Sequence, residues 1–110
     1  MSITVVGSGT QTAVINTEHS LYSDTVSGTF VFRVNLVNMA AGDLLELRMK
    51  SKVLSGDTLA VVYKYSFYNA AAVDNIIQQS VPVVSDIGVT CTLKQTQGTG
   101  RSFTWSVLQL

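Results

Sequence analysis

Apolar and polar residues alternate with a period of two along most of this chain, and that pattern decides the fold class. In "TFVFRVNLVN", Phe30, Phe32, Val34 and Leu36 face one way, while Val31, Arg33, Asn35 and Val37 face the other. "TLAVVYKYSFY" places Leu59, Val61, Tyr63, Tyr65 and Phe67 on one side. "IGVTCTLKQT" does the same with Ile87, Val89, Cys91 and Leu93, and "RSFTWSVLQL" with Phe103, Trp105 and Val107. Side chains on a strand point alternately to the two faces of its sheet, so such runs are strands with one buried face. Turn signals separate them: "MAAGD", "LSGD" at 54–57 and "QGTG" at 97–100. Short strands and turns at steps of about 10 to 15 residues describe an all-β, single-domain antiparallel β-sandwich, jelly-roll-like, with seven to nine strands. The expected core is Phe30, Phe32, Val34, Leu45, Leu47, Val61, Tyr63, Val89, Cys91, Phe103 and Trp105. One stretch, "AAAVDNIIQQS" at 70–80, has spacing that fits two helical turns or a loop equally well. The N-terminal "ITVV" is followed by "GSG", so residues 1–9 form a candidate arm and residues 10–110 the sandwich domain.

The surface implied by this pattern is polar and weakly charged. The 110 residues carry zero formal net charge, and charged residues make up 13% against about 25% in an average domain. Twenty-four Ser and Thr residues take their place. Such a surface costs little to desolvate against another protein, and near-zero net charge favours association. The same neutrality argues against a general nucleic-acid binder. The N-terminus has neither a basic segment nor an apolar run of signal-peptide length, and no stretch approaches the roughly 20 apolar residues of a membrane span. The expectation is a soluble protein made in a cytoplasm, with no membrane partner.

Little in the sequence points to catalysis or metal binding. The single histidine, His19, has Glu18, Ser20, Ser23 and Asp24 close by, but neighbours on a strand point to opposite faces and do not converge into a triad. One His and one Cys, far apart, give no metal-ligand spacing. Cys91, between Val89 and Leu93, reads as a buried, inert thiol. Asp43 and Asp57 each follow a turn glycine, where an Asp side chain caps local backbone N–H groups. No catalytic residue, cofactor or metal is expected. Tyr63, Tyr65, Tyr68 and Trp105 could stack against a sugar, but Tyr63, Tyr65 and Trp105 share faces with core residues. Tyr68 is the ring expected to be exposed.

The one charge-dense stretch is "LELRMKSKV", residues 45–53. Glu46, Arg48, Lys50 and Lys52 share a face opposite Leu45, Leu47, Met49, Ser51 and Val53. Three readings fit: a solvated or edge-protecting strand face, a contact for an acidic protein surface, or a nucleic-acid contact. The last is weakest, because the other basic residues are dispersed and no aromatics interleave with the stripe. Candidate protein-contact residues are Arg48, Lys50 and Lys52 on the stripe, Ile3 and Val5 on the arm, and Tyr68.

The run beginning at Ser27, "SGTFVFRVNLVNMAAGDLLELRMKSKVLSG", and the closing "VPVVSDIGVTCTLKQTQGTGRSFTWSVLQL" resemble a group of small tailed-phage virion proteins. In that group a "G-T-[FY]-V-x-R-V-x-L-x-N-M-x-x-G-D" segment precedes "E-x-R-x-K-x-K-V-L-S-G", and the chain ends on "L-K-Q-T-x-G-T-G-R-x-F-x-W". The resemblance covers roughly residues 18 to 110. The group is similar to capsid decoration, or cement, proteins: β-sandwiches that sit as dimers or trimers on an icosahedral shell. The resemblance implies a non-enzymatic virion protein on the capsid surface, a homo-oligomer whose partner is the major capsid protein. The alternatives are a head-to-tail, tail or fibre component, or a glycan-binding module using Tyr68 and the 69–80 loop.

Overall fold

A computed structural model describes residues 3–68 and 77–110, and among these residues there are nine strands and no helix. In chain order they are β1 (Thr4–Thr12), β2 (Glu18–Asp24), β3 (Gly28–Asn35), β4 (Leu44–Ser51), β5 (Ala60–Tyr68), β6 (Ile77–Gln79), β7 (Val83–Ser85), β8 (Val89–Gln97) and β9 (Ser102–Gln109). One sheet runs β1-β9-β3-β6, with β7 also paired to β3; the other runs β2-β8-β4-β5. All pairings are antiparallel. The chain is thus one long hairpin rolled up. β4 pairs with β5, β3 with β6 and β7, β2 with β8, and β1 with β9, nested around the Leu54–Asp57 turn. Rolling lays β9 on β3 and β8 on β4, which is the strand order of a jelly roll.

The core lies between the sheets. Phe30, Phe32 and Val34 of β3 and Phe103 and Val107 of β9 meet Leu45, Leu47 and Met49 of β4 and Val89, Cys91 and Leu93 of β8. Burial pushes the Cys91 thiol up to about 12, so it stays protonated and packs as a small apolar group. Pro82, the only proline, separates β6 from β7; a ring without an N–H interrupts the ladder. Just before it, Ser80 keeps the join to β3, its N–H donating to Phe32 O at 2.8 Å and its Oγ accepting from Phe32 N–H at 3.0 Å.

Two aspartates close turns in the same way. The Asp57 carboxylate accepts from Leu54 N–H at 3.0 Å while Asp57 N–H donates to Leu54 O. Asp43 repeats this with Ala40, at 2.9 and 3.1 Å, but is buried, only 1% exposed. Its carboxylate also takes Arg101 Nε at 3.0 Å and Thr99 N–H at 3.3 Å. Beside it Gln95, fully buried, donates to Gln97 O and Thr99 O and accepts from Arg101 N–H. Gly98, at φ 90°, passes so close to Asp43 that any side chain there would collide with it. "N-M-x-x-G-D" and "Q-T-x-G-T-G-R" therefore meet in one packed corner, with Asn38 Nδ2 donating to Ser102 O at 2.7 Å.

Several expectations are corrected. Val61 is 49% exposed, because β5 carries a bulge at Val62. Tyr63 lies opposite Met49, but Val61 lies opposite the outward-facing Lys50, and one extra residue moves the row to the other face. Tyr63 and Trp105 pack against the core but remain partly exposed. Residues 4–9, the greater part of the candidate arm, pair with β9, Thr4 opposite Gln109 and Gly9 opposite Trp105, with a bulge at Val6. Gly7 leaves room for a ring: a Cβ there would lie 2.7 Å from Tyr22 Cδ1, whereas one on Gly9 would sit in ordinary contact, 3.5 Å from the Trp105 indole. Within the candidate helix, residues 77–79 are strand β6, and residues 70–76 lie outside the described residues.

Two outcomes follow. Gly7→Val should cost about 1–3 kcal/mol in urea unfolding, because the added methyls drive into the Tyr22 ring; a free arm would tolerate the change. Asp43→Ala should cost about 2–4 kcal/mol, since it strips a partly buried guanidinium and two backbone N–H groups of their acceptor. Burial pushes the Asp43 carboxyl up, but the hydrogen bonds from Ala40, Arg101 and Thr99 outweigh it and hold it below the usual range. Its stabilisation is therefore complete above the usual Asp range and fades as pH falls through the lowered value.

Candidate functional site

The outer face of the β2-β8-β4-β5 sheet carries the basic stripe, and the sheet register decides its chemistry. β2 reaches β4 only through β8: Glu18 lies opposite Lys94, and Lys94 opposite Glu46. Glu18 Oε2 receives Lys50 Nζ at 2.9 Å, Arg48 Nη1 at 3.6 Å and the Thr92 hydroxyl at 2.6 Å. Glu46 Oε1 receives Arg48 Nη2 at 2.7 Å and Lys64 Nζ from β5 at 3.2 Å. Three cations and two carboxylates form one ladder across all four strands, with a formal charge of only +1. The Thr92 hydroxyl and then Lys50, by hydrogen bond and charge, hold the Glu18 carboxyl at about 2; burial opposes them, and Arg48 adds to them.

Arg48 and Lys50, expected as contact residues, thus have their charges already met within the chain. Lys52 lies just past the end of β4, and among the described residues no carboxylate is within ion-pair distance of it. Ile3 and Val5 are exposed, Val5 opposite Leu108 on the outer face of the other sheet. Tyr68 ends β5 and is 59% exposed. The structure brings Arg48 and Lys50 together with Lys52 along one strand, but leaves Ile3, Val5 and Tyr68 on other elements. The residues missed at the sequence level are Glu18 and Glu46 as the partners of the stripe. Glu46 is visible as the nearest acid in the run, whereas Glu18 is brought in by a pairing that skips the length of the chain.

His19 acts as a brace. Its Nε2 accepts from Val14 N–H at 3.0 Å, and Nδ1 lies 3.3 Å from the Gln11 amide. Neither contact involves Ser20, Ser23 or Asp24. On the β3-β9 outer face, Arg33, Asn35, Thr104, Ser106, Trp105 and Ile77 border a shallow cup of about 200 Å³ with mixed polar and apolar walls.

The two lateral sides of the sandwich differ. On the β1/β2 side, Tyr22 leans on Gly7, and His19 reaches Gln11 and Val14, so side chains bridge the sheets. On the opposite side β5 overhangs. In the middle of its inward row Tyr65 is 52% exposed, with the Phe67 ring 4.7 Å away. Near its start a groove of about 540 Å³ runs between Val53, Val61, Val62 and Val84, with Lys52, Asp57 and Thr58 at its polar end. The open side is mostly apolar and the closed side is locked.

Comparison with protein-family models gives no match, and no curated protein sequence matches the chain.

Glu18→Gln should flatten the acid limb of the stability curve. A carboxylate held at about 2 against an ordinary 4.5 contributes stability fully above pH 4.5 and loses it as pH falls towards 2. The variant should lose about 1 kcal/mol near neutral pH, given its partly exposed partners, and match the parent at pH 2. Urea titrations across that range check both points.

Proposed function

We propose that the protein is a non-enzymatic phage virion protein, a capsid decoration protein that binds and stabilises the icosahedral shell through contacts with the major capsid protein. The observation that carries this reading is the unequal sandwich. One side is closed by its own side chains, while the other offers an apolar strand edge and groove that a lone chain leaves in water. The "GTFVFRVNLVNMAAGD" and "LKQTQGTGRSFTW" segments that carry the family resemblance support it, because they build the corner that fixes this fold. A jelly roll hosts coat and lectin functions alike, so the fold alone does not choose.

The surface supports the choice of partner. Zero net charge and a compensated ladder make a poor electrostatic target for nucleic acid, and a face that needs little desolvation suits a large protein contact. The glycan-binding reading loses support from Tyr65 and Tyr68: three residues apart on one strand, they point to opposite faces and form no common platform. Trp105, the other candidate ring, is packed over Gly7 and Gly9.

Purified protein mixed with expanded shells that lack it should bind saturably at micromolar concentration and raise the temperature at which the shells open. Because Arg48 and Lys50 are already paired, binding should change little between about 0.05 and 0.5 M salt, although the Debye length shrinks severalfold over that range. No binding at micromolar concentration would remove the decoration reading, and a steep loss with salt would return the stripe to the role of contact surface.

A further inference from the structure

We infer that the outer edge of β5 is a self-complementary interface, on which a second copy of this chain adds its own β5 antiparallel about a two-fold axis at Tyr65. The inference deepens the decoration reading by naming the subunit contact, but it stands on the strand itself.

Among the described residues β5 is an edge strand nine residues long, paired only to β4. Every second residue of such a strand turns its N–H and C=O away from its neighbour, and among the described residues nothing meets them. Long, apolar, uncapped edges are templates for strand addition, and proteins normally blunt them. The other long edges here are blunted. β1 is bulged at Val6 and carries two glycines beneath the Trp105 and Tyr22 rings. β2 is bulged at Leu21 and lined with Glu18 and Asp24. β5 has no proline and a single charge, Lys64, already held by Glu46 at 3.2 Å.

The sequence of the edge identifies the occupant. Tyr63-Lys64-Tyr65-Ser66-Phe67 reads nearly the same in both directions: ring, polar, ring, polar, ring. A two-fold axis through Tyr65 sets Tyr63 against Phe67 of the other copy, Lys64 against Ser66, and Tyr65 against itself. Cross-strand aromatic pairs stabilise a sheet, and like charges directly opposed destabilise it. Shifting the axis to Lys64 would oppose the two lysines. Shifting it to Tyr63 would run the ladder through the bulge at Val62. Shifting it to Ser66 would set Lys64 against Tyr68 and leave the Tyr63 ring without a cross-strand partner. The Tyr65 axis alone stays clear of the bulge, separates the lysines and gives all three inward rings of each copy a ring opposite. The product is an eight-stranded sheet with six aromatic residues along its inward seam, an isologous contact that closes at two copies.

Sedimentation of the parent protein should show a dimer at tens of micromolar. Tyr65→Lys, at a half-exposed position, should keep the parent's circular dichroism yet weaken dimerisation at least tenfold, because it opposes two ammonium groups. Opposed residues in an antiparallel pair have Cα atoms about 4.5–5.5 Å apart, within disulfide range. Tyr65→Cys should therefore cross-link into a covalent dimer under mild oxidation. Val14→Cys, exposed but on the opposite, β1/β2 side, should cross-link far more slowly, and the parent not at all, because Cys91 is buried. A monomer at these concentrations, a trimer, or equal cross-linking at residues 65 and 14 would overturn the inference. A dimer that fails to bind shells would leave it intact while removing the decoration reading.

Discussion

The register of β4 against β8 is the constraint on which the rest depends. It sets Leu47 beside Leu93 and Met49 beside Cys91 on the inward face, and Arg48 beside Thr92 and Lys50 beside Thr90 on the outward face. A slip of one residue would exchange the faces, driving Glu46, Arg48 and Lys50 into the core and Leu45, Leu47 and Met49 into water. Both strands also carry a second partner, β4 holding β5 and β8 holding β2. The register therefore fixes where Glu18 arrives over Arg48 and Lys50, and how far β5 overhangs. The ion ladder and the free edge are consequences of one alignment.

That alignment is stabilised at both ends by buried polar groups. At one end Asp43, Gln95 and Arg101 tie the turn before β4 to the turn after β8. At the other, Ser51 and Ser85 gather on Gly88 O at 2.8 and 2.6 Å, and Gly88, at φ 128°, lies against Asp24 O where a Cβ would come within 2.0 Å. Buried hydrogen bonds contribute little net energy when made and cost more when broken. They favour this register over its neighbours more than they deepen the well.

Alternation made the fold legible, because it records which side chains share a face. Phe30, Phe32, Val34, Leu45, Leu47, Val89, Cys91 and Phe103 are buried as their spacing implies. The turn roles of Asp43 and Asp57 were equally legible, since a short acid after a turn glycine has few other places to put its oxygens. What alternation does not record is whether a second layer covers the face. Tyr63, Tyr65 and Phe67 face inward on a strand that overhangs its partner sheet, so their pattern is that of a core and their exposure is that of an edge. A single bulge took Val61 out of the row. Glycines before a strand read as a hinge until the rings that fill their place are known. The stripe "LELRMKSKV" gave its own acid, Glu46, but its second counter-charge arrives from 30 residues upstream.

The difference between the two lateral sides then becomes a matter of physical necessity. A sandwich of two sheets has two sides to close, and this chain closes one with a tyrosine, a histidine and a glycine that makes room. The other side carries Val61, Val62, Tyr65 and Tyr68, all about half exposed or more. Hydration of that much apolar surface costs about 25 cal/mol per Å², and each unpaired strand group adds the loss of an ordered hydrogen-bond partner. Charged residues, the usual protection of an edge, are spent instead on the flat outer face, where they neutralise one another. The flat face is thereby left electrostatically compensated and the β5 edge apolar, and the proposed strand pairing rests on that contrast.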